Sequence, residues 1–347
     1  MDKFLPYDDE LGLLIQARAS ELYYRMRRIN ADTLGMPPHC LEYFKSSHAG
    51  RLFFSIETSA HLLYRSIKMT GKDPAEMVMM DYGAGVGALY LLAKMTGFKK
   101  VIYNDHLEDW QKSARLVAEA AGIEIDHYLV GDIEESLADL ERLGLICDLI
   151  TSRNVIEHIY RLDLFYNAIH RKQPGALIYS STTANKYNPA SVVKHRLWHR
   201  KWEKVYKGKR LVVIQWQAPG LSAAKANALA ASTRGLAGED LKEAIEEYRR
   251  SGKMQDPSVY GSNTCDPSNG VWAEHLLSEQ EYRNLINEQF YRLSVEAGFW
   301  DTHYASAYKN KLCRLLNRKI RRGGKTALRL APFIYVIANP RENVIHG

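Results

Sequence analysis

The chain has 347 residues, 46% hydrophobic and 25% charged, which fits an ordinary soluble globular protein. No run approaches the roughly 18 to 20 uninterrupted apolar residues of a spanning helix, and the opening MDKFLPYDDE lacks the charged-then-apolar order of a secretory signal, so a cytoplasmic protein is expected. The net charge of +7 is concentrated: residues 194–210 hold eight Lys/Arg and one acid, residues 309–329 hold nine and none, and removing these +7 and +9 leaves −9 on the remainder, the pattern of local docking surfaces for something anionic.

In chain order, residues 1–73 read as a helical extension. Apolar residues recur at helical spacing over Leu11 to Ile29 and again over His61 to Met69, with Pro37 and Pro38 breaking the run between them. From Met77 the rhythm changes. A short strand, Met77 to Met80, runs into Asp81 and a glycine-rich turn; a buried helix over Ala88 to Met95 closes at Gly97, and a second strand starts at Val101. Helical patterns over Trp110 to Ala121, Glu134 to Leu143 and Ile156 to His170 alternate with strands over Glu124 to Val130, Asp148 to Thr151 and Ala176 to Ser180. Strands and helices alternating at this spacing predict a doubly wound α/β fold with a mostly parallel, Rossmann-like sheet over residues 74–184 and 271–347.

Residues 185–270 interrupt the rhythm and read as an inserted cap for substrate. They contain the first basic stretch, a strand over Leu211 to Gln215, a small-residue helix around Leu221 to Ala231 and a charged helix around Gly238 to Arg250. Beyond them are expected a helix over Glu279 to Ala297, then Gly298-Phe299, a strand around Asp301 to Tyr308, and a last strand over Phe333 to Ala338. These two strands would close the sheet as an antiparallel pair. The cysteines, Cys40, Cys147, Cys265 and Cys313, stand far apart without a C-x-x-C, which excludes a disulfide framework and a structural zinc.

The chemistry concentrates in Asp81 to Gly87, which reads Asp-Tyr-Gly-Ala-Gly-Val-Gly. Glycines at 83, 85 and 87 after a strand let the backbone approach a ligand without side-chain obstruction. Gly83, Gly85 and Ala88 also satisfy a dinucleotide fingerprint. Asp105 ends the second strand at the spacing of a carboxylate that takes the two hydroxyls of a ribose, so the ligand expected is an adenosine.

With these residues in view, the sequence resembles the class I S-adenosylmethionine-dependent methyltransferases, over residues 75–184 and more weakly 271–340. The resemblance implies cofactor contacts from Asp81, Gly83, Gly85, Gly87, Asp105 and His106, and from Asp132 and Ile133 at the adenine. The segment Cys147 to Ile159, with Asn154-Val-Ile-Glu-His158, resembles the branch of the ubiquinone-biosynthesis O-methyltransferases, and puts Asn154 beside the cofactor. A dinucleotide enzyme accounts for the first unit but not for Gly131-Asp132 or Glu157-His158.

An imidazole is suited to accept a hydroxyl proton at neutral pH, which makes His158 the expected base with Glu157 beside it. In that branch an acid three residues before the Glu-His pair helps hold a divalent cation. Here the position is Asn154, so no metal is expected. His195, Trp198, His199, Arg200 and Trp202 are candidates to bind a sugar or phosphate, and His275 is a further acceptor-side candidate. Residues 309–329 place Leu312, Leu315, Leu316 and Ile320 among cations, the pattern of a helix on an anionic membrane, with RNA or the protein's own sheet as alternatives.

The function expected is methylation of an oxygen on a small acceptor such as a sugar or lipid-linked envelope glycan, in the cytoplasm or at the inner membrane face. The competing readings are a nucleic-acid methyltransferase, disfavoured because residues 151–158 lack an N/D-P-P-Y/F/W motif, and a non-catalytic adenosylmethionine-binding or partner-binding protein.

Overall fold

The computed structural model describes residues 3–341. Helix α1 (Glu10–Arg27) starts where the Asp9 carboxylate accepts the Gly12 N–H. After Pro37 come the short α2 (Pro38–Tyr43) and a π-helical turn, Phe44–His48, before α3 (Leu52–Thr70), which stops at the left-handed Gly71. The alternating part follows as β1 (Val78–Asp81), α4 (Leu89–Thr96), β2 (Lys100–Asp105), α5 (Glu108–Ala120), β3 (His127–Val130), α6 (Ile133–Arg142), β4 (Leu149–Arg153), α7 (Leu162–Lys172) and β5 (Leu177–Thr182). Then come α8 (Pro189–Gln217), α9 (Ala223–Ser232), α10 (Gly238–Ser251), α11 (Glu279–Leu285), β6 (Tyr291–Ala297), α12 (Ala307–Ile320), α13 (Gly324–Leu330) and β7 (Ile334–Pro340).

The strands form one sheet in the order β3-β2-β1-β4-β5-β7-β6; β1 to β5 are parallel, and β7 runs antiparallel to both neighbours. This is the Rossmann-like, doubly wound fold expected from the sequence. Both faces of the sheet are covered, so successive strand residues enter different cores. Met79, Val101, Tyr103, Leu149 and Tyr179 pack toward α1, α3, α4 and α5, whereas Met80, Ile102, Ile150 and Ile178 pack toward α6, α7 and α11. Phe4, Ile15, Leu22, Ile56 and Leu63 share the first of these cores. The N-terminal helices, read from the sequence as a helical extension, pack as a layer on this face of the sheet.

Four local expectations are corrected. Leu211 to Gln215 is not a strand but the last part of α8, because Tyr206, Arg210 and Ile214 recur every four residues and are buried on one helix side. Residues 156–161 form a turn, and α7 begins only at Leu162. The helix expected over Glu279 to Ala297 ends at Leu285; Tyr291, Leu293 and Val295 then alternate on one side of β6, the sheet's edge strand. Gly298-Phe299 therefore follows this strand, and residues 301–306 are irregular. Their backbone is satisfied locally: the Asp301 carboxylate accepts the His303 N–H, and the Asn310 amide bonds both the N–H and the carbonyl of Tyr304. The connection between β6 and β7 carries α12 and α13, which separate at Gly323, where φ is +75°.

Candidate functional site

The carboxyl ends of β1 and β4 meet at the point where strand order reverses, where the ligand crevice of such sheets usually lies. Its first half is a strap between the ends of β1 and β2. Gly83 and Gly85 both have left-handed backbones, with φ of +65° and +53°. The Ala84 N–H donates to the Asn104 carbonyl at 2.9 Å, and the Gly85 N–H donates to Asp105 Oδ2 at 3.0 Å. Gly87 closes the turn by donating to the Ala84 carbonyl. The other Asp105 oxygen faces His106 Nδ1 at 3.2 Å, a contact that raises the imidazole pKa. A carboxylate has about four lone-pair directions, so Asp105 keeps acceptor capacity for hydroxyls.

Asn104 was not singled out from the sequence, yet it holds this half together. Fully buried, its amide donates to the Gly131 carbonyl and to Ser136 Oγ, tying β2 to the loop after β3. A polar residue directly after the apolar Val101, Ile102 and Tyr103 was the available signal. Asp132 caps α6: its carboxylate accepts the Glu135 N–H while Glu135 Oε2 accepts the Asp132 N–H. Ile133 is buried below it.

Asp81 lies behind the glycine loop rather than in the open crevice. Burial pushes its pKa up to about 7; the Arg153 cation and the Thr151 hydroxyl, 3.2 Å away, offset part of that cost. Arg153 is held in turn by α3, donating to the Ser55 carbonyl and, at 2.7 Å, to Ser59 Oγ. Tyr43 of α2 forms a further wall. It retains 44% of its surface in solvent, yet its phenol feels Arg153, Asp105 and Glu157, and its pKa is raised chiefly by desolvation.

The second half of the crevice gathers residues from distant parts of the chain. The segment at 272–275, which follows residues 185–270, runs beside the loop after β4: the Trp272 N–H donates to the His158 carbonyl, and the His275 N–H to the Glu157 carbonyl. Glu274 is thereby set against Glu157 and His158, and one ligating atom from each of the three lies within 4.8 Å of the others. Glu157 is fully buried. No donor among the described residues meets hydrogen-bond geometry at either oxygen, and Thr182 and Thr183 offset only part of the burial that pushes its pKa up to about 7. Glu274 is also pushed up to about 7, by burial and then by Glu157.

The histidines around this pair have assignable hydrogens. His158 Nδ1 stands 2.8 Å from the Trp272 carbonyl, which can only accept, so Nδ1 donates and Nε2 keeps its lone pair in the neutral ring. By the same argument His199 Nε2 donates to the Glu274 carbonyl at 2.9 Å, and the Ser262 hydroxyl supplies His199 Nδ1. His195 Nε2 faces the Thr183 carbonyl, while its Nδ1 points at Glu274 Oε1 at 3.6 Å; burial pushes the His195 pKa down to about 4. His275 is pushed down to about 4 for the same reason.

Glu157, His158 and Glu274 are therefore the residues able to hold a cation. Asn154 is directed elsewhere: with φ of +55° it offers its amide oxygen to the Thr183 N–H. The acceptor candidates read from the insertion are split by α8. His195 and His199 enter the crevice, whereas Trp198 and Arg200 lie on the outer surface and Trp202 stacks on Tyr206. The sequence pointed to Glu157 and His158 but not to Glu274, which only the backbone pairing of residues 272–275 reveals.

No protein-family model matches the chain, and no curated protein matches it. Among solved structures it is similar to a chain of the complex between the Haloferax volcanii Trm112 methyltransferase activator and a methyltransferase, with 12% identity over 87% of this chain and 97% of that one, at a TM-score of 0.41. An S-adenosylmethionine-dependent methyltransferase from Mesorhizobium loti shows 13% identity over 81% and 98%, at 0.39. TrmN from Thermus thermophilus shows 21% identity over 36% of this chain, at 0.29, and the chain spans only 38% of that protein's length. At these identities the likeness concerns the fold.

Proposed function

We propose that the chain is an S-adenosylmethionine-dependent methyltransferase acting on a hydroxyl of a small or lipid-linked acceptor, a sugar or glycan in the first instance. The observation that carries this reading is the strap at the ends of β1 and β2, two left-handed glycines of which Gly85 donates its N–H to an acid that retains acceptor capacity. Asp105 would take the ribose hydroxyls, the glycine loop would border the amino-acid tail, and Asp132 would lie toward the adenine. Bound there, the cofactor would supply a methyl group on a sulfonium for transfer to the acceptor oxygen.

The chain's own residues supply position and a proton acceptor. His158 Nε2 takes the hydroxyl proton, and the Trp272 carbonyl fixes the tautomer that leaves this nitrogen free. Glu157 and Glu274, both poised near neutrality, border that proton position. Their polar cluster suits a hydroxyl-bearing acceptor better than an apolar one.

The test is His158→Gln. We expect turnover, read as adenosylhomocysteine formed with cell-envelope fractions, to fall roughly 100-fold or more, while calorimetric affinity for adenosylhomocysteine stays unchanged. Undiminished turnover would remove His158 as base. Methyl uptake by RNA fractions, with none by envelope fractions, would overturn the acceptor class.

A further inference from the structure

Helix α8 presents two contrasting sides. His195, His199, Tyr206, Arg210 and Ile214 are buried on one. At about 100° per residue, Val193, Leu197, Val205, Val212 and Trp216 gather on the other. All five are left in solvent, Trp216 at 81%, Val212 at 65% and Leu197 at 59%. A lone exposed aliphatic residue is ordinary, but five large apolar residues gathered on one side of a helix, with lysines interleaved, are not.

Cations accompany the stripe. Lys194, Arg196, Arg200, Lys201, Lys204 and Lys207 make no ion pair among the described residues. The helix's only acid, Glu203, is turned to the buried Arg210, whose Nη2 donates to it at 2.6 Å, and Lys209 is paired with Asp266. No helix among the described residues is long and apolar enough to cross a membrane. The 29 residues of α8 nevertheless give it a length of about 43 Å, available to lie flat.

We propose that this outer side of α8 seats the protein on an anionic lipid surface, with Trp216 and the aliphatic residues entering the headgroup boundary and the cations on that side and its flanks, Lys194, Arg200, Lys201, Lys204 and Lys207, meeting lipid phosphates. Both components decide the occupant. A nucleic acid rewards the cations and can stack on Trp216, but gives no return for burying Val193, Leu197, Val205 and Val212. A lipid interface rewards aliphatic side chains and cations together. The arrangement also places the crevice: His195 and His199 leave the opposite side of the same helix, so the proton-accepting cluster stands about one helix diameter, ~10 Å, above the headgroups. For a lipid-linked acceptor this is the appropriate height, a consequence that rests on the proposed function; the docking itself does not.

The experiment is flotation of the full chain with vesicles of phosphatidylcholine alone or mixed with phosphatidylglycerol. We expect flotation only with the anionic vesicles, weakening as salt is raised. The pair Val212→Ser and Trp216→Ser, and separately Lys204→Glu with Lys207→Glu, should each reduce the bound fraction roughly tenfold, with melting temperature and adenosylhomocysteine affinity unchanged. Because flotation requires no turnover, failure of the methyltransferase reading would not produce its loss. Unaltered flotation of both variants would overturn the assignment to α8. So would retention on RNA without flotation, or a dimer that the Trp216→Ser change dissociates while vesicles bind nothing.

Discussion

Gly83 rests against Val155: a Cβ built on the glycine would stand 2.6 Å from Val155 Cγ2. The loop after β1 is therefore packed on the loop after β4, and its left-handed φ of +65° disfavours any side chain as well. We expect Gly83→Ala to destabilise the protein by about 1–3 kcal/mol and to weaken adenosylhomocysteine binding at least tenfold. Val155→Ala in the same chain should recover part of both losses, because it removes the atoms that the new methyl meets. Denaturant melts and calorimetry on the single and double variants check this, and a strictly additive double variant would refute the contact.

The Arg153 cation offsets part of the burial of Asp81, and its own place is fixed by Ser55 and Ser59 of α3. In Arg153→Met the shape is roughly kept and the charge is lost. Asp81 already has a folded pKa of about 7, above its unfolded value, so ionising it costs stability as pH rises toward 7. Without the cation that pKa climbs further and the loss extends to higher pH. The variant should therefore be about 3–5 kcal/mol less stable at alkaline pH, and closer to the parent in mild acid. A pH-independent difference in urea melts would show that packing, not charge, is what Arg153 supplies.

The cofactor half of the site was legible because its determinants are local. Three glycines between a strand and a helix, and an acid ending the next strand, define Gly83, Gly85 and Asp105 within a few residues of the chain each. The acceptor half was not, because Glu274 reaches Glu157 only through hydrogen bonds between two loops far apart in sequence. The position of the penultimate strand was misplaced for a different reason. Tyr282, Ile286 and Leu293 are compatible with one long helical stripe, and only the extended conformation at Ile286, φ −97° and ψ 116°, turns the chain into β6. In α8 the misleading signal was the apolar run Leu211 to Ile214, whose members fall on different sides of a helix that the sequence divides into a basic piece and a strand-like piece.

Asp105 accepts the Gly85 N–H on one oxygen, which an amide can keep, while its other oxygen faces His106 Nδ1 and the more distant Leu107 N–H at 3.4 Å. In Asp105→Asn the side-chain oxygen still accepts the Gly85 N–H, whereas the NH2 group no longer accepts from a ribose hydroxyl. Thermal stability should change little. Affinity for adenosylhomocysteine should fall roughly 10- to 100-fold, the usual worth of hydrogen bonds to a charged group. Calorimetry with adenosylhomocysteine decides it; unchanged affinity would place the ribose elsewhere.

Glu57 of α3 provides a pH test away from the crevice. Burial, with Asp301 nearby, pushes its pKa up to about 8, and Oε2 has no hydrogen-bond partner among the described residues. The folded chain thus retains a proton that the unfolded chain releases near pH 4.5. Since the unfolded state binds fewer protons across that interval, stability falls as pH rises from about 5 to about 8 and levels off above the folded pKa. Glu57→Gln keeps the shape and removes the titration. We expect the variant to lose this part of the slope and to be more stable than the parent at pH 8, with no advantage at pH 5. Parallel stability profiles for the two proteins across the interval would mean that Glu57 ionises at little cost, with His303 Nδ1, 3.9 Å from Glu57 Oε2, as the group that balances its charge.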